Sequence, residues 1–589
     1  MQKFQDAVIS TNGDAIVGAT VVVTTAAGAQ ATLYASNGSD PISGNVLTTD
    51  AAGRYGFFAS NGRYTLTIFA AGFVAYVRDI VMLDPVDDED RYATEWGADP
   101  TATQVSTAQI QDAIDDAHAA GGGVVSLAGR FLVDSVEDGA TGYRIALRLK
   151  TGVKLRGGTL VCNAGSDVDP DILVMVSVIG SDTAIDGVTF ENLYNGSNSW
   201  RSVAVGCGDG LDPDAVPMEN VQVTNCTFND QFYAVSVATL EATETLAIDG
   251  VLVNGCRFVA AAASTTSGGY NFYSRFPGAI RRLRVIGNYG EGAKGSSGIN
   301  ILGCQDGTVS ANVLKDCHYG AIQTENGARR IAISGNTAID CGRGVFIDDS
   351  ADITVTGNNL TIVEKTLPDS STAREGIFIT RQGFSAGGNT DWVTDRINIV
   401  GNVINNSRIR MSTFGGSPAG SFGSINIQGN SIYFSDAGDS QTSGIATGSG
   451  TGAYRICGNT VIGASTYSLA ISASSGQPVI VTGNYTGKIA SESSVGVQVL
   501  GTPNLIFAEN YFDNGLDASV TGIRAEVANL NAGVGRRIRI TNGLDIYYGS
   551  GAPSVVASPG SLYLDTAGGT GNTLYVKEAN FDETGWAAK

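Results

Sequence analysis

The chain has 589 residues with a formal charge of −21, 78 Gly against only 13 Pro, and 16% charged residues. Such a length permits several domains, the Gly-rich composition fits a turn-dense β protein, and the charge argues against nucleic acid or an anionic membrane as the main partner. An acidic ligand would therefore need a local basic patch. No apolar run is long enough to insert into or span a bilayer, and Met1-Gln2-Lys3-Phe4-Gln5-Asp6 lacks the charged start and apolar stretch of a secretory signal. The expectation is a soluble product made in the cytoplasm.

Residues 1–86 carry short alternating strands at Ile16–Thr24, Tyr55–Ala59, Arg63–Phe69 and Ala75–Leu83, punctuated by Asn12-Gly13, Ala27-Gly28, Ala52-Gly53 and Asn61-Gly62. That pattern predicts a small antiparallel β-sandwich. The acidic stretch Asp84–Asp90, broken by Pro85, reads as a linker, so that residues 87–120 hold linker and helix. Ser106 is placed to cap a helix whose Ile110, Ala113, Ile114 and Ala117 share one face, and Gly121-Gly122-Gly123 ends it. A helix here would cover the open end of whatever β structure follows.

Residues 121–535 are dominated by a Gly-Asn pair that returns after alternating apolar runs, at Gly287-Asn288, Gly335-Asn336, Gly357-Asn358, Gly401-Asn402, Gly429-Asn430, Gly458-Asn459 and Gly483-Asn484. With Ala311-Asn312 and Glu509-Asn510 as degenerate copies, the asparagines fall 24, 24, 22, 44, 28, 29, 25 and 26 residues apart. A repeat that short cannot bury its own apolar face and must stack on its neighbours. The period of two excludes a helical solenoid, and three short strands with three turns per coil give a single-stranded parallel β-helix, with Gly or Asn taking the positive φ that ends each strand. Weaker coils begin at Gly157-Gly158, Asp186-Gly187, Asn225-Cys226 and Gly255-Cys256. Four of the eight cysteines fall at equivalent repeat positions, Cys226 with Cys256 and Cys317 with Cys341, which fits buried thiols stacked in the core. Residues 536–589 form a separate small β unit, with Gly560-Ser561-Leu562-Tyr563-Leu564, Asn572-Thr573-Leu574-Tyr575-Val576 and a closing Gly585-Trp586.

The stretch from Trp96-Gly97-Ala98 through the helix to Gly121-Gly122-Gly123-Val124-Val125 resembles the opening of pectate-lyase-like right-handed β-helix proteins, particularly bacteriophage tailspikes and capsule depolymerases. Both ends look like phage tail proteins: Gly18-Ala19-Thr20-Val21-Val22-Val23, Thr48-Thr49-Asp50 and Asn61-Gly62-Arg63-Tyr64 at one, Gly560 to Leu564 and Thr573 to Glu578 at the other. Two positions depart from that pattern. Ser106-Thr107 stands where an Asp-Asp-Thr is usual, and Ala128-Gly129 replaces a Pro-containing turn. The resemblance implies a right-handed β-helix that binds and cleaves a bacterial surface polysaccharide, a homotrimer, an amino-terminal domain attached to baseplate or tail proteins of the virion, and a carboxy-terminal unit that assists trimerisation. It implies no cofactor.

Fold alone names no activity, so carboxylates brought together by the repeat are the place to look. Cys317 and Cys341 belong to two Asp-Cys-x-x-Gly copies, and aligning Gly320 with Gly344 puts Glu325 and Asp349 at one offset, with Arg381 at the same offset from Gly376. A column of Glu, Asp and Arg results, with Asp348 beside it. Two carboxylates about 5 Å apart suit a nucleophile with a general acid, and a wider pair suits inversion through water. Glu325-Asn326-Gly327 and Asp348-Asp349-Ser350 are equally ordinary turn sequences. The 44-residue interval holds the inserted segments Glu364–Arg374 and Gln382–Asp395, the second with Phe384 and Trp392, and long insertions are where solenoids place function.

A second candidate region runs from Asn192 to Pro217, with Trp200, Arg201, Asp209 and Asp212, followed by Tyr273 and Arg275. Aromatics beside arginines suit sugar faces and acidic sugars. The Asp209–Asp212 spacing is far from a calcium loop, and with His118 and His318 the only histidines no metal site is expected. His318-Tyr319 near Glu325 also permits a lyase, with tyrosine or histidine as base and arginine neutralising a uronate. The sequence thus points first to glycoside hydrolysis by Glu325 and Asp349, then to β-elimination on the same scaffold, and third to an adhesin gripping host glycan through aromatics alone.

Overall fold

A strand whose alternate residues are Ile, Val or Leu must turn that face inward, and a positive-φ residue after it forces the chain round a corner. One full turn of the coil consists of Gln305–Ser310, Val313–Lys315 and Ile322–Glu325, and the next of Arg329–Ser334, Thr337–Cys341 and Arg343–Asp348. Each turn gives one strand to each of three long sheets, paired in parallel along the stack, as in Ser310 with Ser334 and Ser334 with Thr356. This computed structural model describes the chain apart from residues 1, 11–13, 26–27, 37–39, 61, 72, 83–89, 135, 138–143, 163–171, 193–198, 207–217, 232, 240–247, 261–267, 275–276, 368–371, 382–393, 414–421, 436–442, 449–451, 474–476, 488–494, 502–503, 509, 513–535, 541–543, 570–572 and 580–583.

Met1–Tyr92 with Asp116–Ser126 is one compact unit, and Ala93–Asp115 with Leu127–Lys589 is another. In the larger unit the first sheet of the β-helix runs from Val153–Arg156 to Asn504–Ala508, the second, of 15 strands, from Thr101–Val105 to Tyr511–Phe512, and the third, of 14, from Val136–Glu137 to Val495–Gly501. The interior is largely apolar. Ile331, Ile333, Val345, Ile347, Ile353, Val355, Leu360, Ile377 and Ile379 are all buried, and Phe190 stacks on Phe228 at 5.0 Å between ring centroids. Helix α1 (Thr107–Ala119) buries Ile110, Ala113, Ile114 and Ala117, the four residues on its apolar face. Thr107 Oγ1 accepts from the Asp134 N–H, and Gln111 Oε1 accepts from the Arg148 N–H, both at 2.8 Å, which ties the start of the helix to the first coils. Ser106 does not cap as expected. Its carbonyl accepts the Ile110 N–H, but its hydroxyl turns away to accept the Asp99 N–H at 2.8 Å.

The smaller unit pairs Gln2–Ala7 with Arg54–Ala59 and, in a second antiparallel sheet, orders Val46–Thr48, Thr20–Thr25, Gly62–Ala70 and Phe73–Met82. Val21, Val23, Leu33, Phe57 and Leu66 fill one core between the two sheets. At the other end of the chain, Arg536–Ile540, Leu544–Gly549, Leu562–Asp565, Leu574–Lys577 and Trp586–Ala588 make a mixed five-stranded sheet around Tyr547 and Tyr563. Trp586 packs edge-on against both tyrosines.

The Gly-Asn pair divides its labour. Glycine takes the left-handed conformation, as at Gly335 with φ 63° and Gly357 with φ 63°. The asparagine does not share that role; it points inward as a rung of a ladder. Asn358 Oδ1 accepts from the Asn336 N–H (2.8 Å) and Nδ2 (2.9 Å), while Asn358 Nδ2 donates to Asn402 Oδ1 (2.9 Å) and Ile333 O (3.1 Å). The same geometry recurs from Asn288 to Asn510. Cys256 and Cys226 continue the column towards the amino end, because the Cys256 N–H donates to Asn288 Oδ1 and the Cys226 N–H to Cys256 Sγ. All seven described cysteines are buried and none forms a disulfide.

Ala311 stands at one of these glycine positions, holding φ 56° with a Cβ. A left-handed alanine costs roughly 1–2 kcal/mol, part of which glycine gives back through its freer unfolded chain. Ala311→Gly is expected to stabilise the protein by about 0.5–1 kcal/mol, read as a rise in the urea midpoint without a change in slope.

Candidate active site

The third sheet carries Glu325, Asp348 and Arg381. In strand Ile322–Glu325, Ile322 and Thr324 turn into the core, which leaves Gln323 and Glu325 on the outer face. Gln323 Nε2 donates to Glu325 Oε2 at 2.5 Å. Glu325 is only partly exposed, and burial, reinforced by the Asp349 charge and opposed by the Gln323 hydrogen bond, raises its pKa from 4.5 to about 7. Burial and a like charge both disfavour the ionised form, which is the state an acid catalyst must avoid.

The alignment through the two glycines proves one residue out of step. Thr324 pairs with Ile347, so the ladder runs on to set Glu325 level with Asp348 rather than Asp349. The cause is a length difference: Gly320-Ala321 precedes Ile322, whereas Gly344 precedes Val345 directly. Asp348 in turn pairs with Thr380, whose hydroxyl donates to Asp348 Oδ1 at 2.6 Å, while Ser350 Oγ donates to the Asp348 carbonyl at 2.7 Å. Asp348 is 0% and Asp349 1% exposed. Asp349 has φ 40°, a left-handed corner that an aspartate tolerates better than most residues, so the turn reading of Asp348-Asp349-Ser350 and the carboxylate cluster are both present at one place. Arg381 ends the strand Glu375–Arg381, is 8% exposed, and pairs with Thr413.

Tyr273 joins this face. It pairs with Leu302, which pairs with Glu325, placing the half-buried Tyr273 two rungs, roughly 10 Å, before the glutamate in one outward column. His318 makes its contacts away from this face, and Tyr319 makes its own on it, 5.1 Å from the Arg343 guanidinium. His318 Nδ1 lies 3.3 Å from Thr366 O and Nε2 3.8 Å from Asp316, whereas the Tyr319 ring packs at 5.8 Å from Phe346. Trp200 and Arg201 lie in strand Ser199–Gly206, whose pairing places Trp200 opposite Leu173 and Arg201 opposite Val174. Their side chains, and Trp392, Arg275, Phe384 and Asp209 to Asp214 entirely, fall outside the described residues. Of the two insertions, Glu364–Arg374 contains a two-residue hairpin ladder, Lys365–Thr366 against Thr372–Ala373.

The stack of three parallel sheets is a known architecture. Its fold is similar to a tailspike's. A variant of the tailspike protein of E. coli bacteriophage HK620 aligns with a TM-score of 0.51 at 15% identity, over 75% of this chain and 78% of that one. Another, in complex with a pentasaccharide, aligns with a TM-score of 0.50 at 15% identity over 77% and 80%. The A-module of the Azotobacter vinelandii mannuronan C-5 epimerase aligns with a TM-score of 0.36 at 14% identity, over 75% of this chain and all of that one (100%). A family model described as periplasmic copper-binding protein (NosD) matches residues 186–417. No curated protein sequence matches the chain. Among the described residues, no group of three or more His, Cys, Asp and Glu side chains is placed to hold a metal ion.

Five side chains on this face escaped the sequence reading: Arg343, Phe346, Glu375, Phe378 and Arg410. Phe346 stacks on Phe378 at 5.4 Å, and the Arg343 guanidinium lies 5.0 Å from each ring. The signal was in the text of the chain, since Arg343-Gly344-Val345-Phe346-Ile347 and Glu375-Gly376-Ile377-Phe378-Ile379 superimpose residue for residue.

Proposed function

We propose that the chain is a trimeric, virion-attached tailspike that hydrolyses a bacterial surface polysaccharide, with Glu325 as general acid and the Asp348-Asp349 pair as the opposing carboxylates. The carrying observation is the raised pKa of a partly exposed Glu325 beside two buried aspartates. A glutamic acid that keeps its proton near pH 7 can deliver it to a leaving glycosidic oxygen, while a neighbouring carboxylate receives the developing positive charge or activates water. Asp348, fixed by Thr380 and Ser350, holds the corner at which Asp349 sits. The resemblance of both chain ends to phage tail proteins supports attachment through the amino-terminal sandwich and trimer formation, which light scattering coupled to size exclusion checks.

The test is incubation with purified capsular, exopolysaccharide and O-antigen polysaccharides. New reducing ends without near-ultraviolet absorbance are expected. An unsaturated, absorbing product replaces hydrolysis by β-elimination, and tight binding with no oligosaccharide released from any of them replaces it by adhesion.

The Asp349 charge is part of what keeps Glu325 protonated. Asp349→Asn is therefore expected to move the Glu325 titration to lower pH, towards its ordinary value, as read from its side-chain carboxyl resonance, and the alkaline limb of residual activity moves with it.

A further inference from the structure

Beside the carboxylates, the same face gathers positive charge in excess of what the fold uses. Among the described residues, Glu375 is the one carboxylate paired with these three guanidinium groups: Arg343 Nε meets Glu375 Oε2 at 3.1 Å, Arg410 Nη1 meets Oε1 at 3.2 Å, and Arg408 Nη2 approaches Oε1 at 3.9 Å. Arg343 is committed to structure, with 9% of its side chain exposed and its plane set over the Phe346 and Phe378 rings. Arg408 and Arg410 then share the second oxygen of a carboxylate already neutralised by Arg343. The surplus is two positive charges, in a chain whose net charge is −21.

The surplus is not left to water. The Arg408 side chain is 15% exposed, and its buried Nε has no hydrogen-bond partner among the described residues. Burial and the adjacent Arg410 charge both push the Arg408 pKa down, so the pair repels itself as it stands. Arg410, by contrast, is 38% exposed and lies over the Phe378 ring, 5.4 Å from its centroid, so that it rests on an aromatic surface and is still reached by solvent. A flat guanidinium on an aromatic ring, next to a half-buried second one, is a receptor for a planar anion taken through two parallel N–H···O bonds.

We propose that Arg408 and Arg410 form a subsite for a carboxylate-bearing sugar, so that the polysaccharide is acidic, with a uronic acid or another carboxylated residue a short distance from the cleaved linkage. The proposal rests on the hydrolase reading for the meaning of that distance. Gln323, Phe346, Phe378 and Arg410 pair in one outward column, and Arg410 stands two rungs, roughly 10 Å, beyond the strand of Asp348. That places the anion beside the reacting bond and not on it. The arginines then act on affinity and choice of substrate, with little effect on the chemical step.

The experiment uses the full-length Glu325→Gln protein, which separates binding from turnover, with methyl glucuronide, methyl glucoside and glucose 6-phosphate as probes in saturation-transfer NMR and calorimetry. Glucuronide is expected to bind, weakening as salt is raised, and the glucoside is not. Arg410→Ala is expected to cost at least about tenfold in glucuronide affinity, with Arg410→Lys between the two because it keeps the charge but loses the fork. With active enzyme on an acidic capsule, Arg410→Ala is expected to raise KM and leave kcat within about threefold. Equal binding of glucuronide and glucoside, binding of neither, preference for the phosphate, or an unchanged glucuronide affinity in a folded Arg410→Ala each overturns the subsite. Loss of cleavage in Glu325→Gln without glucuronide preference removes the subsite and keeps the reaction. Glucuronide preference in a protein that cleaves nothing keeps the subsite and removes the reaction.

Discussion

Glu325→Gln is expected to lower glycan cleavage by about 10²–10⁴-fold while leaving oligosaccharide binding intact, because glutamine keeps the shape and the Gln323 contact but has no proton to give. The same change should make the protein more stable in alkali. The folded pKa of Glu325 is about 7, above its ordinary 4.5, so the folded state holds this proton more tightly than the unfolded chain does. That contribution is fully present below about pH 4.5 and is lost as the pH rises through about 7. A shift of that size corresponds to at most about 3 kcal/mol, and partial exposure of the group discounts it to about 1–2 kcal/mol. Wild type should therefore fall progressively below Glu325→Gln in melting temperature between about pH 5 and pH 8, with the two converging in acid. Unchanged cleavage by the variant, or a stability gap that does not widen with pH, removes the acid assignment.

The β-helix was legible because its physics is periodic. An alternating strand, a corner and a vertical neighbour two dozen residues on leave a mark that repeats along the chain, and every Gly-Asn copy named from the sequence closes a strand of the first sheet. What the asparagine does at that corner was not legible, since a turn residue and a ladder residue look alike until the side chain is seen to point inward. The sandwich strands with weak alternation were also missed. Gln2–Ala7 offers only Phe4 as a large apolar residue, and Val46–Thr48 is three residues long.

At the site, proximity was readable and register was not. Counting between conserved-looking corners assumes coils of equal length, and Ala321 alone displaces the count so that Asp348, the lesser candidate, stands level with Glu325. Residues that act by shielding each other are harder still to read. Arg343 carries no mark in the sequence, and only its place over the Phe346 and Phe378 rings and against Glu375 one coil later shows what it does. Tyr273 was chosen as an aromatic, and it is the column of paired strands, invisible in the spacing, that sets it on the glutamate's face.

Breaking the asparagine ladder in the middle is expected to cost more than any surface change on this protein. Asn358 is 1% exposed, and its side chain accepts two hydrogen bonds from Asn336 while donating to Asn402 Oδ1 and Ile333 O. Asn358→Ala leaves the Asn336 N–H without its acceptor and removes one bond each from Asn336 Nδ2, Ile333 O and Asn402 Oδ1, the last of which keeps the Asn358 N–H, and each lost buried bond costs about 1–3 kcal/mol. A total of about 4–6 kcal/mol follows, allowing for relaxation of the rungs. Asn510, at the far end of the same ladder, accepts from Asn484 and donates to Val481 O but is only half-buried, where water can replace what is lost, so Asn510→Ala should cost about 1–2 kcal/mol. In a solenoid each coil is stabilised mainly by its neighbours, so the central substitution should also open a protease-sensitive break near residues 336–402 while the terminal one frays only the last coil. Calorimetry together with mass mapping of limited-proteolysis products distinguishes the two. Equal destabilisation by both substitutions would mean that the ladder stores its energy in the individual corners and not in their coupling.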